Sequence, residues 1–440
     1  MDDDVDGRQL TDVPTSDTPP DQPLRENRDF LTLLVSQTVS VGGDAVSSTA
    51  LPLLVLALTG SGVVMGIVRA IDAVADFGFA TIAGALADRG DRKRMMFLAD
   101  FGRATLTALI PMSVFVNGPT LAVILIVAGP MAILRGFFRA GYLAAMPNLV
   151  GRSQLARGNG ILETAYSAAF ILGPALAGLL VTVIGPGETL AVDAASYGLS
   201  SVGLVLIGRD LKAPTDRPHS RIIDDIREGV VYVARHPILR TVILLFATTN
   251  AVLTPIEVAM TFRIIRDLGE SPAAFGLTLT GLGVGLMAGA VFASRLGQHT
   301  NVARVFVAAV MTMGLPVIGA AVIPSLPAIV LLTALSGAGE AAVVVLYVSV
   351  RAANSPDALL GRIASTARMM ALALIPIGAL IGGILIDAFG GTATLAILGA
   401  AMCVLALAFS QIGGLRTASL APPTPVGALP EVRSAAGEVG

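Results

Sequence analysis

Asp44, Asp72, Asp76, Arg103, Arg135, Arg139 and Glu163 all lie inside long apolar runs. A charged side chain in the bilayer costs about 3 kcal/mol on insertion scales, so such residues are candidates for function. Asp72 and Asp76 are four apart, and so are Arg135 and Arg139. Each pair therefore shares one face of a helix. In a bundle, faces that carry charge must turn inward. The simplest arrangement sets the two carboxylates against the two guanidinium groups, with Asp44 nearby. A carboxylate beside arginine stays ionised, whereas desolvation or loss of the partner favours the neutral acid. Such a group can exchange a proton for a substrate. Asp44 is the first candidate for a proton-carrying site and Asp76 the second. The alternative is a permanent Asp–Arg clamp tying segments together. Arg103, in the inner third of its run, is expected to snorkel to the cytoplasmic surface.

The second half of the chain is poorer in such residues: Glu257, Glu340 and Arg368. Glu340 leads there as a contact for substrate or proton. Glu257 and Asp387 lie near run ends and are expected to be solvated. No enzyme constellation is present. His219, His236 and His299 all fall in loops, and no Walker loop occurs. The glycine-rich stretch from Gly281 lies inside an apolar run rather than after a strand, so it is no nucleotide site. Neither a cofactor nor a metal is expected.

The elements that must position these residues follow from composition. Of 440 residues, 54% are hydrophobic and 14% charged, with mean hydropathy +0.79. Soluble domains carry roughly 25% charged residues, so this is a polytopic membrane protein. The net charge of −2 indicates no nucleic-acid partner. Cys403 is the single cysteine, which excludes an intrachain disulfide. Tryptophan is absent, so Tyr or Arg must anchor the span ends. The acidic, proline-containing amino terminus lacks the features of a signal peptide and reads as disordered.

A span needs about 20 apolar residues. Twelve runs qualify: 30–57, 62–87, 95–117, 120–147, 159–185, 189–208, 238–262, 272–295, 303–324, 326–352, 361–388 and 392–412. With the amino terminus inside, nearly all loop cations fall on the cytoplasmic side, leaving Arg263 and Arg266 outside. The expected fold is all-α: twelve transmembrane helices in two pseudo-symmetric six-helix bundles. The expected organisation is a disordered cytoplasmic tail (1–29), a first bundle (30–208), a cytoplasmic linker (209–237), a second bundle (238–412) and a second disordered tail (413–440). Within the linker, Ile222, Ile226, Val230 and Val233 share one helical face. That helix is expected to lie on the inner membrane surface, the alternative being a solvated linker helix.

The halves align weakly, Thr164-Ala165 with Thr366-Ala367 and Pro174 with Pro376, which sets Glu340 near Arg139. Such symmetry suits transporters whose site lies between repeats. Gly281, Gly285 and Gly289, and then Gly378 and Gly382, are four apart and predict close helix packing. Prolines within runs, Pro376 among them, predict bends and weak points.

GALADRGDRKR, from Gly84 to Arg94, joins two apolar runs. It resembles the signature between helices 2 and 3 of the major facilitator superfamily, with Asp91 where a second glycine is usual. Met146 to Leu180, Arg227 to Arg240 and the stretch from Gly361 resemble the drug-exporting branch that includes macrolide-efflux proteins and enterobactin exporters. The resemblance runs from about residue 30 to 410 and is strongest over Met146 to Leu180. It implies a conformational gate at Gly84, Asp88, Arg89, Arg92 and Lys93. Asp88 ends a helix, where an anion is unfavourable unless a cation or another helix start meets it. The family implies that Asp88 holds the inner side closed against the region of Gly361-Arg362; the alternative is a capping bridge to Arg92. Gly173, Pro174 and Gly178 resemble a helix-bend motif associated with antiporters, with Ala177 in place of a further glycine.

The resemblance therefore implies a bacterial secondary transporter that exports an amphipathic small molecule, a drug or siderophore-like metabolite, by proton antiport and alternating access. Its partners would be that substrate, protons and the bilayer. It would be a monomer in the inner (plasma) membrane with both termini cytoplasmic. Met65, Phe79, Phe138, Phe170, Met260, Met369 and Met370 are candidate apolar contacts. Proton-coupled uptake of a nutrient, or a non-transporting membrane sensor or scaffold, are the alternatives.

Overall fold

The structure is a computed structural model that describes residues 23–151, 153–212, 222–295, 301–356 and 359–412. The expected tail at 413–440, most of the tail at 1–29, and the loop residues Arg152, His219 and His299 lie outside the described residues.

Thirteen helices follow one another among the described residues: α1 (Arg28–Thr59), α2 (Gly62–Arg89), α3 (Arg92–Phe115), α4 (Thr120–Val150), α5 (Leu155–Ile184), α6 (Pro186–Leu206), α7 (Ile222–Arg235), α8 (Pro237–Phe262), α9 (Pro272–Ser294), α10 (Val302–Val322), α11 (Leu326–Ala353), α12 (Leu360–Leu372) and α13 (Ile375–Ser410). A π-turn, Arg263–Asp267, extends α8. Each of the twelve apolar runs falls on helix. Among the described residues, nine helical stretches are long and apolar enough to cross a membrane. The helices bearing Asp72, Asp76, Asp100 and Arg103 are not among those nine.

Local chemistry sets the ends. Asn27 caps α1, accepting the Phe30 N–H at 3.0 Å. Asp91 caps α3, accepting the Arg94 N–H at 3.0 Å. That cap accounts for an acid where the family signature has glycine, because a side-chain oxygen satisfies one of the free N–H groups of the helix start. The α1–α2 turn passes through Gly60 at φ 61°, a left-handed conformation that favours glycine. Gly390, at φ 79° and ψ 172°, breaks α13 into two stretches.

Several expectations are refined by the structure. Residues 23–29 are not tail: Leu24 is buried, and the Asp29 carboxylate accepts the Gly208 N–H at 2.9 Å. Pro376 marks the expected weak point as a break rather than a bend. The run 361–388 is split at residues 373–374, leaving Pro376 in the first turn of α13, where its missing N–H costs nothing. The linker helix α7 packs on α12 and α8. Val233 is fully buried, and Gly229 comes so near that a Cβ would stand 2.3 Å from Thr366 Oγ1. The Glu228 carboxylate pairs with the Arg362 guanidinium. At Gly229 and Val233 the helix is thus met by protein rather than by lipid.

In the first half, α1 packs on α5 and α6, α3 on α4 and α6, and α2 on α4. In the second, α9 packs on α11, α8 on α13, and α10 on both α11 and α13. Gly281, Gly285 and Gly289 face Val330, Ala334 and Ala338 in register; a Cβ on Gly285 would lie 1.8 Å from the Ala334 carbonyl oxygen. In lipid, close packing of small residues replaces the hydrophobic drive available in water.

The halves meet chiefly through α5 with α9 and α2 with α13. These contacts gather at the end of the molecule holding the α1–α2 turn. A Cβ on Gly66 would sit 2.5 Å from the Ala379 carbonyl oxygen, and one on Gly276 would sit 2.2 Å from that of Pro174. Asp387 accepts hydrogen bonds from Ser61 Oγ at 2.6 Å and from the Val63 N–H at 3.2 Å. Arg266 donates to the Gly60 carbonyl at 2.7 Å. Asp387 is therefore not merely solvated, contrary to expectation: an anion at the start of α2 meets free N–H groups and the positive dipole end.

Candidate functional site

Three groups of charge lie within the helices. The first involves α2 and α4. The four-residue spacing brings both acids to α4, where Arg135 pairs with Asp72 at 2.8 Å and Arg139 with Asp76 at 3.3 Å. Arg69 adds a 3.8 Å contact to Asp72 and reaches Glu257 of α8 at 3.5 Å. Glu257, expected to be solvated, thus joins the halves at an exposed position. The arginines of this group stay about two-fifths exposed, at 43% for Arg135 and 39% for Arg139.

The second group is buried. Gly43 allows α6 against α1: a Cβ there would stand 2.0 Å from Ser196 Oγ and 2.6 Å from Asp193 Oδ1. Arg103 of α3 is 3% exposed and does not snorkel. Its guanidinium pairs with Asp100 one turn earlier, approaches Asp44 at 4.0 Å, and lies 4.2 Å from the ring centroid of Tyr197 and 4.9 Å from that of Phe138. An aromatic box and a carboxylate replace the water that snorkelling would have supplied. Tyr197 donates its hydroxyl proton to Asp44, and Ser47 donates to Asp193. Ser200 donates to Asp100 at 2.5 Å and accepts from Gln37 Nε2 at 3.0 Å.

Asp100 and Asp193 are 0% and 1% exposed, and the candidate set from the sequence omitted them. The signal was available, since both lie inside predicted spans (95–117 and 189–208). Asp193, Ser196, Tyr197 and Ser200 also repeat at three- and four-residue spacing, a polar stripe along α6. Chemically, the group holds three carboxyls and one guanidinium. Two of them can be neutralised only by protons or by charge from elsewhere.

The third group is sparse. Glu340 of α11 is partly buried and makes no ion pair or hydrogen bond among the described residues. It does not meet Arg139, which is held by Asp76. Glu163 is exposed on α5.

The gate residues lie at the end opposite Asp387. Asp88 is exposed, with no ion pair among the described residues, and Arg89 is exposed at the last turn of α2. Gly84 has open space around it. Arg92 is buried, donating to the Ala87 carbonyl at 3.0 Å and Asn148 Oδ1 at 3.1 Å. Lys93 donates to the Val205 and Ile207 carbonyls. Asp88 makes no ion pair or hydrogen bond with α12 or Arg92 among the described residues. Gly173, Pro174 and Gly178 occupy the contacts of α5 with α1 and α9, Gly178 standing against the Pro272 carbonyl and Gly173 against Ala45. Met65, Phe138 and Met260 are buried in packing, whereas Phe79 and Phe170 are exposed.

The profile of the transmembrane secretion effector family, a group of the major facilitator superfamily, matches residues 19–423. The chain belongs to that family. The match takes in every helix and all three charge groups. As a member, the chain is a multi-pass membrane protein and an efflux transporter of the major facilitator superfamily; the family's proteins are transporters rather than enzymes. The multidrug efflux pump Tap of Mycobacterium tuberculosis is 28% identical over 402 residues, covering 89% of this chain and 94% of its own. Macrolide efflux protein A of Streptococcus pyogenes is 22% identical over 399 residues, covering 89% and 97%. Among solved structures, the nucleoside transporter NupG superposes with a TM-score of 0.74 at 12% identity, covering 88% of this chain and 100% of that one. A peptide transporter of the POT family gives 0.69 at 15% identity, covering 91% and 98%. Both likenesses speak for the shared fold alone.

Proposed function

We propose that the chain exports an amphipathic small molecule in exchange for protons by alternating access. The observation that carries this reading is the cluster of buried Asp100, Asp193 and Arg103 with half-exposed Asp44, in which carboxyls outnumber cations. Arg103 and Asp100 form its fixed pair. Asp44 lies at the edge of the cluster, 40% exposed at its side chain, within 4.0 Å of Arg103 and bonded to Tyr197. It can take a proton from solvent and release it when Arg103 draws closer. Asp76, held by Arg139, is the second proton candidate, and Asp72 with Arg135 steadies α2 on α4.

In this reading the halves are two six-helix bundles with twelve crossings, both termini are cytoplasmic, and the protein is a monomer of the plasma membrane. The basic loop Arg89 to Arg94 then faces the cytoplasm. The Asp387 end is external and closed, the Asp88 end is internal and parted, and the conformation is inward-facing. The relatives' names, a multidrug pump and a macrolide pump, support a drug-like cargo. The test is proton-driven accumulation of a fluorescent drug analogue in everted vesicles. Accumulation that collapses with a protonophore, and that is absent in Asp44→Asn, is the expected result. Accumulation unaffected by the proton gradient overturns proton antiport.

A further inference from the structure

A cavity of about 480 Å³ in the second half is lined by Phe246 of α8, Tyr347 and Arg351 of α11, and Ser365, Arg368 and Leu372 of α12. Its size falls within the range of small-molecule sites. The rings of Phe246 and Tyr347 stack with centroids 4.1 Å apart and planes 9° from parallel. The Arg351 guanidinium lies 5.3 Å from the Tyr347 centroid. The Tyr347 hydroxyl is buried beside the Arg351 side chain.

The charge at this site is unbalanced. Among the described residues neither Arg351 nor Arg368 has an acid within ion-pair distance. Arg351 sits in the last turn of α11, where a cation complements the helix dipole. That does not account for Arg368, which lies before the last turn of α12.

We propose that this cavity is an anion subsite. It takes the carboxylate, sulfonate or phosphate end of an amphipathic molecule between Arg351 and Arg368, with the molecule's apolar or aromatic part against the Phe246–Tyr347 stack. Guanidinium groups match planar oxyanions through paired N–H donors. The stacked rings offer an apolar platform. The inference rests on the transporter reading only in assigning the charge class of the cargo. A lipid headgroup carries the same chemistry and is the other source of such an anion.

The test is binding to the full chain in phosphatidylcholine nanodiscs, which needs no transport. The probes are 4-nitrobenzoate and its neutral isostere 4-nitrobenzamide, followed by equilibrium dialysis. The chain has no tryptophan, so Phe246→Trp adds a local fluorescence reporter that nitroaromatics quench. Benzoate is expected to bind about tenfold more tightly than the amide, the weight of one charge-assisted hydrogen bond. The Arg351→Gln/Arg368→Gln double variant is expected to abolish that preference while keeping the wild-type unfolding temperature. Equal binding of the two probes, or a preference retained in the double variant, overturns the proposal. Replacing phosphatidylcholine with phosphatidylglycerol separates the sources. Competition that vanishes in the double variant assigns the subsite to a headgroup, and absence of competition assigns it to soluble cargo; either supports an anion site. Export of a cationic drug analogue does not depend on this outcome, so failure here leaves the function proposed above standing.

Discussion

Asp387 and Ser61 belong to opposite halves of the chain and are joined by a 2.6 Å hydrogen bond across the closed end of the molecule. The same carboxylate takes N–H groups at the start of α2. This one acid therefore ties a helix start in the first half to α13 in the second. A rocking transporter must part it to expose the other side.

Removing that latch should favour the opposite state. In a Cys403→Ser background, a cysteine at Met65 reports opening at this end, because Met65 is 3% exposed. Asp387→Ala removes three charge-assisted hydrogen bonds and is expected to raise its labelling by an impermeant maleimide in whole cells by about tenfold or more. Unchanged labelling excludes Asp387 as a latch.

In the proposed mechanism the cluster holds one structural acid, Asp100, beside two proton-exchanging ones. Asp100→Ala leaves Arg103 buried without its closest partner. It is expected to lower stability by about 3 kcal/mol, the cost of breaking a buried pair, read as a lower unfolding temperature in detergent. Asp44→Asn and Asp193→Asn preserve shape and hydrogen-bonding capacity. They are expected to fold and bind cargo, yet to lose export against a gradient and its dependence on external pH. Wild-type uphill export in both variants contradicts a proton role for this cluster.

Asp88 has no ion pair among the described residues in this conformation. Asp88→Asn is therefore expected to leave unfolding temperature and cargo binding unchanged while slowing turnover about tenfold, through loss of a contact made only in the other state. A lowered unfolding temperature with normal turnover shows a structural role instead.

The α9–α11 interface tolerates no added volume. A Cβ on Gly285 meets the Ala334 carbonyl at 1.8 Å, whereas one on Gly78 of α2 meets nothing within 4 Å. Gly285→Val is expected to remove the monodisperse peak in size-exclusion chromatography, and Gly78→Ala to keep it. A normal peak for Gly285→Val shows that the helices can separate without loss of the fold.

Much of the architecture was legible in the residues. Apolar run length dictates a span, because a backbone in lipid must satisfy its own hydrogen bonds, and every predicted run falls on helix. Four-residue spacing put Asp72 and Asp76 on one face and Arg135 and Arg139 on another, so their facing pairs needed only two neighbouring helices. The glycine steps of α9 declared a close contact for the same periodic reason.

What the sequence could not decide was which faces meet. Arg103 looks like a snorkelling cation until α6 supplies Tyr197 and α4 supplies Phe138 to box it in. Asp193 looks like one more acid in a run until Gly43 lets α1 come close enough for Ser47 to bond it. Asp387 looks solvated until α2 begins beside it. Local pattern fixes the element and its faces, because helical periodicity is a property of neighbours in the chain. The environment of a charge is set by residues far away in the chain, and only the tertiary packing brings those together.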